Sequence, residues 1–294
     1  MNGINRVFNI RRLVLSLNNH GLLQWMNDAA NTELIYYMRT GQKLDLHNPK
    51  TFNEKLQWLK VYDHNPRYSM LVDKIAAKKS IGDLIGKEYI VPLIGEWERA
   101  EDINFDSLPD RYVLKCNHDQ GSVVIVTDAK KLDKDETVSF FKKRLRKNVY
   151  ASSREYAYRD IKPKVFAEEL LGDAITDYKF YCFNGEPKFL YVCRGIERLE
   201  PLKMDFFDME FKPMPFYRTD HLRLGIIPQP QHFEEMKNIA RTLAQDTKFV
   251  RIDLFEENNK VYFSEYTLIP ASGYAKFQPP EYDAIIGDWL KLDE

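Results

Sequence analysis

An arginine, two acids and a threonine stand out in the last quarter of the chain. Phe249-Val-Arg-Ile-Asp-Leu-Phe and Val261-Tyr-Phe-Ser-Glu-Tyr-Thr are β-rich runs separated by Glu256-Glu-Asn-Asn-Lys, the pattern of a hairpin. A three-residue loop over 258–260 predicts Asp253 opposite Glu265 and Arg251 opposite Thr267. Directly opposed carboxylates repel, and a divalent cation shared by their oxygens, Mg2+ above all, removes the conflict. A register one residue off puts the acids on opposite faces, and spacing alone leaves both registers open.

Tyr112-Val-Leu-Lys-Cys-Asn-His-Asp-Gln-Gly-Ser places Lys115 near a strand end, ahead of a polar turn containing Gly121 and Ser122. Free backbone N–H groups beside a lysine suit phosphate oxygens; a hairpin with a solvent-facing lysine is the plainer account. There is no GxxxxGK[ST], which excludes a P-loop. Further on, Asp177-Tyr-Lys-Phe-Tyr-Cys-Phe puts Asp177, Lys179 and Tyr181 on one strand face. Such a pair is either a surface ion pair worth under ~1 kcal/mol or a ribose-binding carboxylate beside a phosphate-binding ammonium. Asp205-Phe-Phe-Asp208 is another acidic pair, spaced DxxD rather than DxD.

These residues need a frame. The first fifty residues have helical patterning, closed by Asn48-Pro49. Thr51-Phe-Asn-Glu54 is a capping box starting a helix, and a second helix is predicted from Ser69 to about Ile81 with Asp73-Lys74 in its early turns. From Tyr89 onward short strands alternate with Gly, Pro and Asp, interrupted by helices over Asp135–Lys147 and Gln231–Asp246, with a turn at Gly172-Asp173. The expected class is α+β with antiparallel sheets: a helical N-terminal layer (1–110), a small β-rich lid (111–168) and a C-terminal sheet (169–294).

Composition bounds the function. The 294 residues carry 43 Lys+Arg and 44 Asp+Glu, a balance that argues against a surface built wholly for nucleic acid. No apolar run approaches the ~18 residues of a membrane span, and the start lacks a signal-peptide core. Cys116, Cys182 and Cys193 are widely spaced and read as reduced cytosolic thiols, so the expected location is cytoplasmic. The 18 Phe, 17 Tyr and 4 Trp serve either sugar-binding platforms or a packed core. Arg6, Arg11 and Arg12 precede any acid, which describes an interfacial helix at the inner face of a membrane or a helix packed on the core. Lys142, Lys143, Arg144, Arg146 and Lys147 form a solvated helix face or an attractor for acidic polysaccharide.

In order, Asp73-Lys74, Lys115 with Gly121-Ser122, Glu168-Glu169-Leu170, Arg251-x-Asp253 and Glu265-x-Thr267 resemble the ATP-grasp superfamily. Pro49-Lys-Thr-Phe-Asn-Glu-Lys-Leu-Gln-Trp, Leu71-Val-Asp-Lys, Leu114-Lys-Cys-Asn-His, Asp177-Tyr-Lys-Phe-Tyr-Cys-Phe-Asn-Gly, Phe263-Ser-Glu-Tyr-Thr and Pro270-Ala-Ser-Gly resemble its teichuronopeptide-biosynthesis (TupA-like) branch. The resemblance covers roughly residues 45 to 280. It implies ATP and Mg2+, a nucleotide between lid and sheet, adenine at Glu168, Glu169 and Leu170, and ribose at Asp177. Lys74, Lys115, Lys179, Gly121 and Ser122 would hold phosphates, and Asp253, Glu265 and Thr267 the metal. Thr267 departs from the superfamily's usual Asn. Arg251 would stabilise a tetrahedral intermediate, while Arg194, His118, Ser272 and Gly273 would meet the acceptor. The implied reaction joins a carboxylate to an amine through an acyl phosphate, with an amino acid and a bacterial surface saccharide, lipid-linked or free, as substrates. The rival readings are a glycosyltransferase using Asp205 and Asp208, a sugar phosphotransferase, and a non-catalytic binding protein.

Overall fold

The computed structural model describes residues 2–172, 175–194 and 202–292, and the side chains of the first helix from Ile10 onward. Helices fill the first third. They begin with α1 (Asn2–Asn19) and α2 (Asp28–Thr40), the latter capped by Asn27 and closed by Gly41 in left-handed geometry. The predicted capping box starts α3 (Phe52–Tyr62): Thr51 accepts from the Glu54 N–H, and the Glu54 carboxylate accepts in return from the Thr51 N–H. The single helix expected from Ser69 is instead two, α4 (Arg67–Val72) and α5 (Lys74–Ile85). Asp73 leaves helical geometry (ψ 107°) and its carboxylate accepts from the N–H groups of Ile75 and Ala76, so it ends one helix and caps the next.

A four-stranded antiparallel sheet follows. Its strands are β1 (Leu93–Trp97), β2 (Tyr112–Cys116), β3 (Val123–Val126) and, after α6 (Lys134–Leu145) and α7 (Val149–Ser153), β4 (Val165–Glu169), in the order β1-β4-β2-β3. β1 belongs to this sheet although it precedes residue 111. Alternation sorts the strands cleanly. Tyr112, Leu114, Cys116, Val165 and Ala167 pack with Phe141 of α6, which turns Val113, Lys115, Phe166 and Glu168 to the opposite face.

The second sheet holds β5 (Asp177–Phe183), β6 (Glu186–Arg194), β7 (Lys203–Asp208), β9 (Leu222–Arg223), β10 (Phe249–Glu257) and β11 (Lys260–Thr267), in the order β11-β10-β5-β6-β7-β9. All its pairings are antiparallel except β7–β9. β8 (Tyr217–Arg218) pairs with β12 (Phe277–Gln278). One face is covered by α8 (Phe233–Leu243) through Phe233, Met236, Ile239, Ala240 and Leu243. The other receives Phe52 of α3, with Phe249 at 5.1 Å, and Trp289 of α9 (Tyr282–Trp289), with Phe183 at 5.8 Å. The aromatic abundance thus resolves largely as core: Phe180, Tyr181, Phe183, Phe189, Phe206, Phe207 and Phe216 are all buried. All three cysteines are buried and free. The expected turn at Gly172-Asp173 extends outside the described residues.

Candidate active site

The hairpin register is reached by a route the sequence did not suggest. Asn258 and Asn259 both have positive φ (51° and 60°), giving a tight two-residue turn. Near the turn the pairing is Glu257↔Lys260 and Leu254↔Phe263; continued unbroken, it would place Asp253 opposite Ser264. A bulge at Ser264 moves the register by one, so that Asp253 faces Glu265 and Arg251 faces Thr267. The expected pairs are correct, and the expected three-residue loop is not.

The two acids are kept together by protein cations. Asp253 is fully buried; its Oδ1 accepts from Arg251 Nε at 2.6 Å, and its Oδ2 from Arg251 Nη2 at 2.7 Å and Lys179 Nζ at 2.6 Å. Arg251 Nη2 also donates to Thr267 Oγ1 at 2.9 Å and lies 3.6 Å from Glu265 Oε1. Burial alone would push the Asp253 carboxyl up, but Arg251 and Lys179 outweigh it and hold it below the usual carboxylate range. Burial would likewise lower Lys179; Asp177, 3.5 Å away, and Asp253 keep it well above an ordinary lysine. For Asp177 burial prevails and its carboxyl is raised. Arg251 is not among the residues lining the cleft between the two sheets. It orients Asp253, and Thr267 braces it in turn.

Between the two sheets lies a cleft of about 450 Å3. Its lining includes the apolar side chains Val113, Ile125, Phe166, Leu170 and Phe255, suited to a flat base. The same cleft carries the cations Lys74, Lys78, Lys115 and Lys179. Lys115 binds Glu168 Oε1, and Lys78 Nζ binds Glu168 Oε2 at 2.8 Å. Burial would raise Glu168, but Lys115 and Lys78 hold it at about 2. Glu168 thus serves the cleft by fixing two lysines. Lys78 was not singled out from sequence; its signal was i,i+4 spacing from Lys74 on one helix face. Lys74 Nζ donates to Asp119 O at 2.6 Å and lies 3.7 Å from Glu265. Glu169 closes β4, its N–H bonded to Pro92 O, and with Leu170 lines the passage to the second sheet.

The loop between β2 and β3 also lines the cleft. Gly121 has φ +77°, a geometry that favours glycine. Ser122 donates to Asp119 and accepts from Arg144 Nε at 2.6 Å, while Arg144 Nη2 holds Gln120 O at 3.2 Å. The basic run on α6 is therefore not one solvated face: Arg144 braces the loop, and Lys142 pairs with Glu101 at 2.7 Å.

The remaining candidates lie elsewhere. His118 is buried beneath the loop, with neither ring nitrogen in a well-formed hydrogen bond among the described residues, and burial lowers its pKa. Arg194 ends β6 on the face opposite Lys179, exposed, its Nε donating to Thr176 Oγ1. Ser272 and Gly273 line no part of this cleft; Ser272 lines a second cavity, and Gly273 is buried next to it in the chain. Asp205 and Asp208, three apart on β7, point to opposite faces. Asp205 is occupied by Arg223 and the Gly225 N–H, Asp208 by the N–H groups of Glu210 and Lys212, so no shared metal site arises there.

A divalent cation fits the donor chemistry of the cleft. Glu265 lines the cleft, and its carboxylate has among the described residues only the long contacts to Arg251 and Lys74; Mg2+ typically takes one or two carboxylates plus phosphate oxygens. Asp253 already accepts three bonds from Arg251 and Lys179, and Thr267 Oγ1 accepts one from Arg251, leaving each further acceptor capacity.

A model of the family described as TupA-like ATPgrasp matches residues 54–291. The chain belongs to the TupA-like ATP-grasp family. The family and the cleft together fit the use of ATP and Mg2+. Among solved structures, the D-alanine–D-alanine ligase from Bacillus anthracis is 20% identical, with 74% of this chain and 63% of that one covered and a TM-score of 0.43. The ATP-grasp ligase PsnB, complexed with a phosphomimetic variant of its minimal precursor, Mg and ADP, is 11% identical over 81% and 65%, with a TM-score of 0.44. The N5-carboxyaminoimidazole synthetase from Staphylococcus aureus is 15% identical over 68% and 45%, with a TM-score of 0.38. The chain spans less than two thirds of the length of each, and the family assignment rests on the family match. No curated protein matches the chain.

Proposed function

We propose that this TupA-like ATP-grasp protein is an ATP-dependent carboxylate–amine ligase that joins an amino acid to a uronic acid or other carboxylate of a bacterial surface saccharide or its precursor. The observation that carries the reading is one cleft between the sheets lined by apolar side chains, four lysines, the Gly121 loop and the Glu265 carboxylate. In this reading the base lies against Val113, Phe166 and Leu170, and the phosphates meet Lys74, Lys115, Lys179 and the loop N–H groups. Glu265, with Asp253 behind it, would hold Mg2+, whose chemistry is to offset phosphate charge. The substrate carboxylate attacks the γ-phosphorus with loss of ADP, giving an acyl phosphate; the amine then displaces phosphate and leaves an amide. The protein's task is positioning and charge compensation.

The test supplies ATP and Mg2+ with amino acids and uronic acids, singly and together. A ligase yields ADP and phosphate only when both co-substrates are present. ADP with a phospho-sugar would show phosphotransfer, and consumption of a nucleotide-sugar without ATP would overturn the proposal.

We further propose that the N-terminal region contacts a membrane carrying a lipid-linked substrate. Ile10, Leu13, Leu22 and Trp25 are exposed beside Arg11, while Asn18 anchors the end of α1 to Ser152 and Asn31. No helix among the described residues is long and apolar enough to cross a membrane. Co-sedimentation with anionic vesicles, lost on Trp25→Ser with Leu22→Ser, checks this contact.

A further inference from the structure

A second, two-chambered cavity lies on the far side of the Asp119-Gln120 loop from the nucleotide cleft. Its outer chamber, about 660 Å3, touches that loop and includes Glu155, Arg146 and Lys147; its inner chamber, about 130 Å3, includes Arg39, Lys60, Gln57 and Thr32. Ser272 lines both.

The wall at Ser272 is built under strain. Ala271, Ser272 and Gly273 hold φ of 50°, 53° and 73° in succession, a left-handed turn costly for the first two. Two α3 side chains pay for it: Gln57 Nε2 donates to Ser272 O and Gly273 O, and Lys60 Nζ donates to Ser272 O at 2.8 Å. A Cβ on Gly273 would lie 2.4 Å from Gln57 Nε2. The Ser272 hydroxyl reaches Glu155 at 3.4 Å. Ser272 thereby touches both a buried cation and a buried carboxylate, which attract each other but form no direct ion pair among the described residues.

Both charges are under-compensated inside the protein. Burial pushes Lys60 down to about 8 and Glu155 up to about 7. The fully buried Gln57 Oε1 and the buried Thr32 Oγ1 have no hydrogen-bond partner. Arg39 stacks 4.8 Å over Tyr274, with no carboxylate in ion-pair range among the described residues. One chamber thus presents two cations with amide and hydroxyl oxygens that lack partners among the described residues, and the other a carboxylate beside the Asp119-Gln120 loop.

We infer that this cavity is an amino-acid site: the α-carboxylate is held in the inner chamber by Arg39 and Lys60, and the ammonium meets Glu155 on the side facing the loop. A molecule with opposite charges at its two ends matches this arrangement; a sugar acid brings hydroxyl donors but no cation to Glu155. The assignment rests on the ligase reading, for which it supplies the amine, and it leaves the wider chamber to the carboxylate partner.

The test titrates full-length protein by calorimetry with the twenty L-amino acids, D-alanine, D-glutamate, their N-acetyl derivatives and D-glucuronate, with ATP binding followed in parallel. At least one free amino acid should bind, its N-acetyl form at least tenfold more weakly. Arg39→Gln, at an exposed position, and the isosteric Glu155→Gln should each weaken that binding at least tenfold with ATP binding unchanged. Binding of glucuronate alone, equal binding of the N-acetyl form, affinity unmoved by both variants, or no binding by any panel member would each overturn the assignment. Amino-acid binding through Arg39 and Glu155 in a protein indifferent to ATP would keep the pocket and remove the ligase.

Discussion

Arg251→Met separates a positioning role for Arg251 from a direct one. In the folded protein Asp253 is wholly buried, and Arg251 makes two short charge-assisted bonds to it. Methionine keeps much of the length and removes the charge, leaving Asp253 to Lys179 alone. Breaking a buried pair on one side typically costs about 3–5 kcal/mol, and because Lys179 remains at 2.6 Å the low end, about 3 kcal/mol, applies. At roughly 2 °C per kcal/mol for a chain of this size or somewhat smaller, thermal unfolding should begin about 6 °C lower. Differential scanning calorimetry measures this shift, and fluorescence titration of an ATP analogue at 15 °C, where the variant stays folded, measures the cleft. Since Arg251 does not line the cleft, nucleotide affinity should change less than threefold. Adding Asp253→Asn should restore part of the lost stability, because the stranded charge disappears. A variant as stable as the parent, or one of normal stability that fails to bind nucleotide, would refute the reasoning.

Four further outcomes follow from the same geometry. Glu265→Gln, at the cleft surface, should abolish Mg2+-dependent ADP production while shifting stability by no more than about 0.5 kcal/mol, measured by coupled assay and urea unfolding. Asp253→Asn should also abolish turnover, but with lost stability, since it strips Arg251 and Lys179 of their shared partner. Glu168, held at about 2 against an ordinary 4.5, contributes stability above pH 4.5 that is lost as pH falls toward 2; Glu168→Gln should flatten that limb by roughly 3 kcal/mol in urea titrations across this range. Gly273→Ala should destabilise by about 1–2 kcal/mol or more from its positive φ and displace Gln57, seen as a lower unfolding midpoint with ATP affinity retained.

Local chemistry and alternation were legible in the sequence. The capping box at Thr51 and the shared face of Asp177 and Lys179 follow from neighbouring residue types and a period of two or three to four residues, whereas a cleft-facing Lys115 was implied only by the resemblance. Chain order then made the cleft's membership readable as a resemblance. Side-chain commitments were not readable, because they depend on groups far apart in sequence. Asp253 meets Lys179 from 74 positions away, Lys78 meets Glu168 across two elements, and Arg144 of α6 folds back on Ser122. Arg251 therefore looked like a cleft residue and became a brace for Asp253.

The sequence by itself determined which residues share a strand face and where helices begin, since steric and hydrogen-bonding preferences act within a few residues. The tertiary structure alone decided how the carboxylates are tolerated. The bulge at Ser264 sets Asp253 against Glu265, and burial removes the solvent screening that would have made their repulsion mild. Arg251, Lys179 and Lys74 then supply the compensation that the hairpin alone lacks.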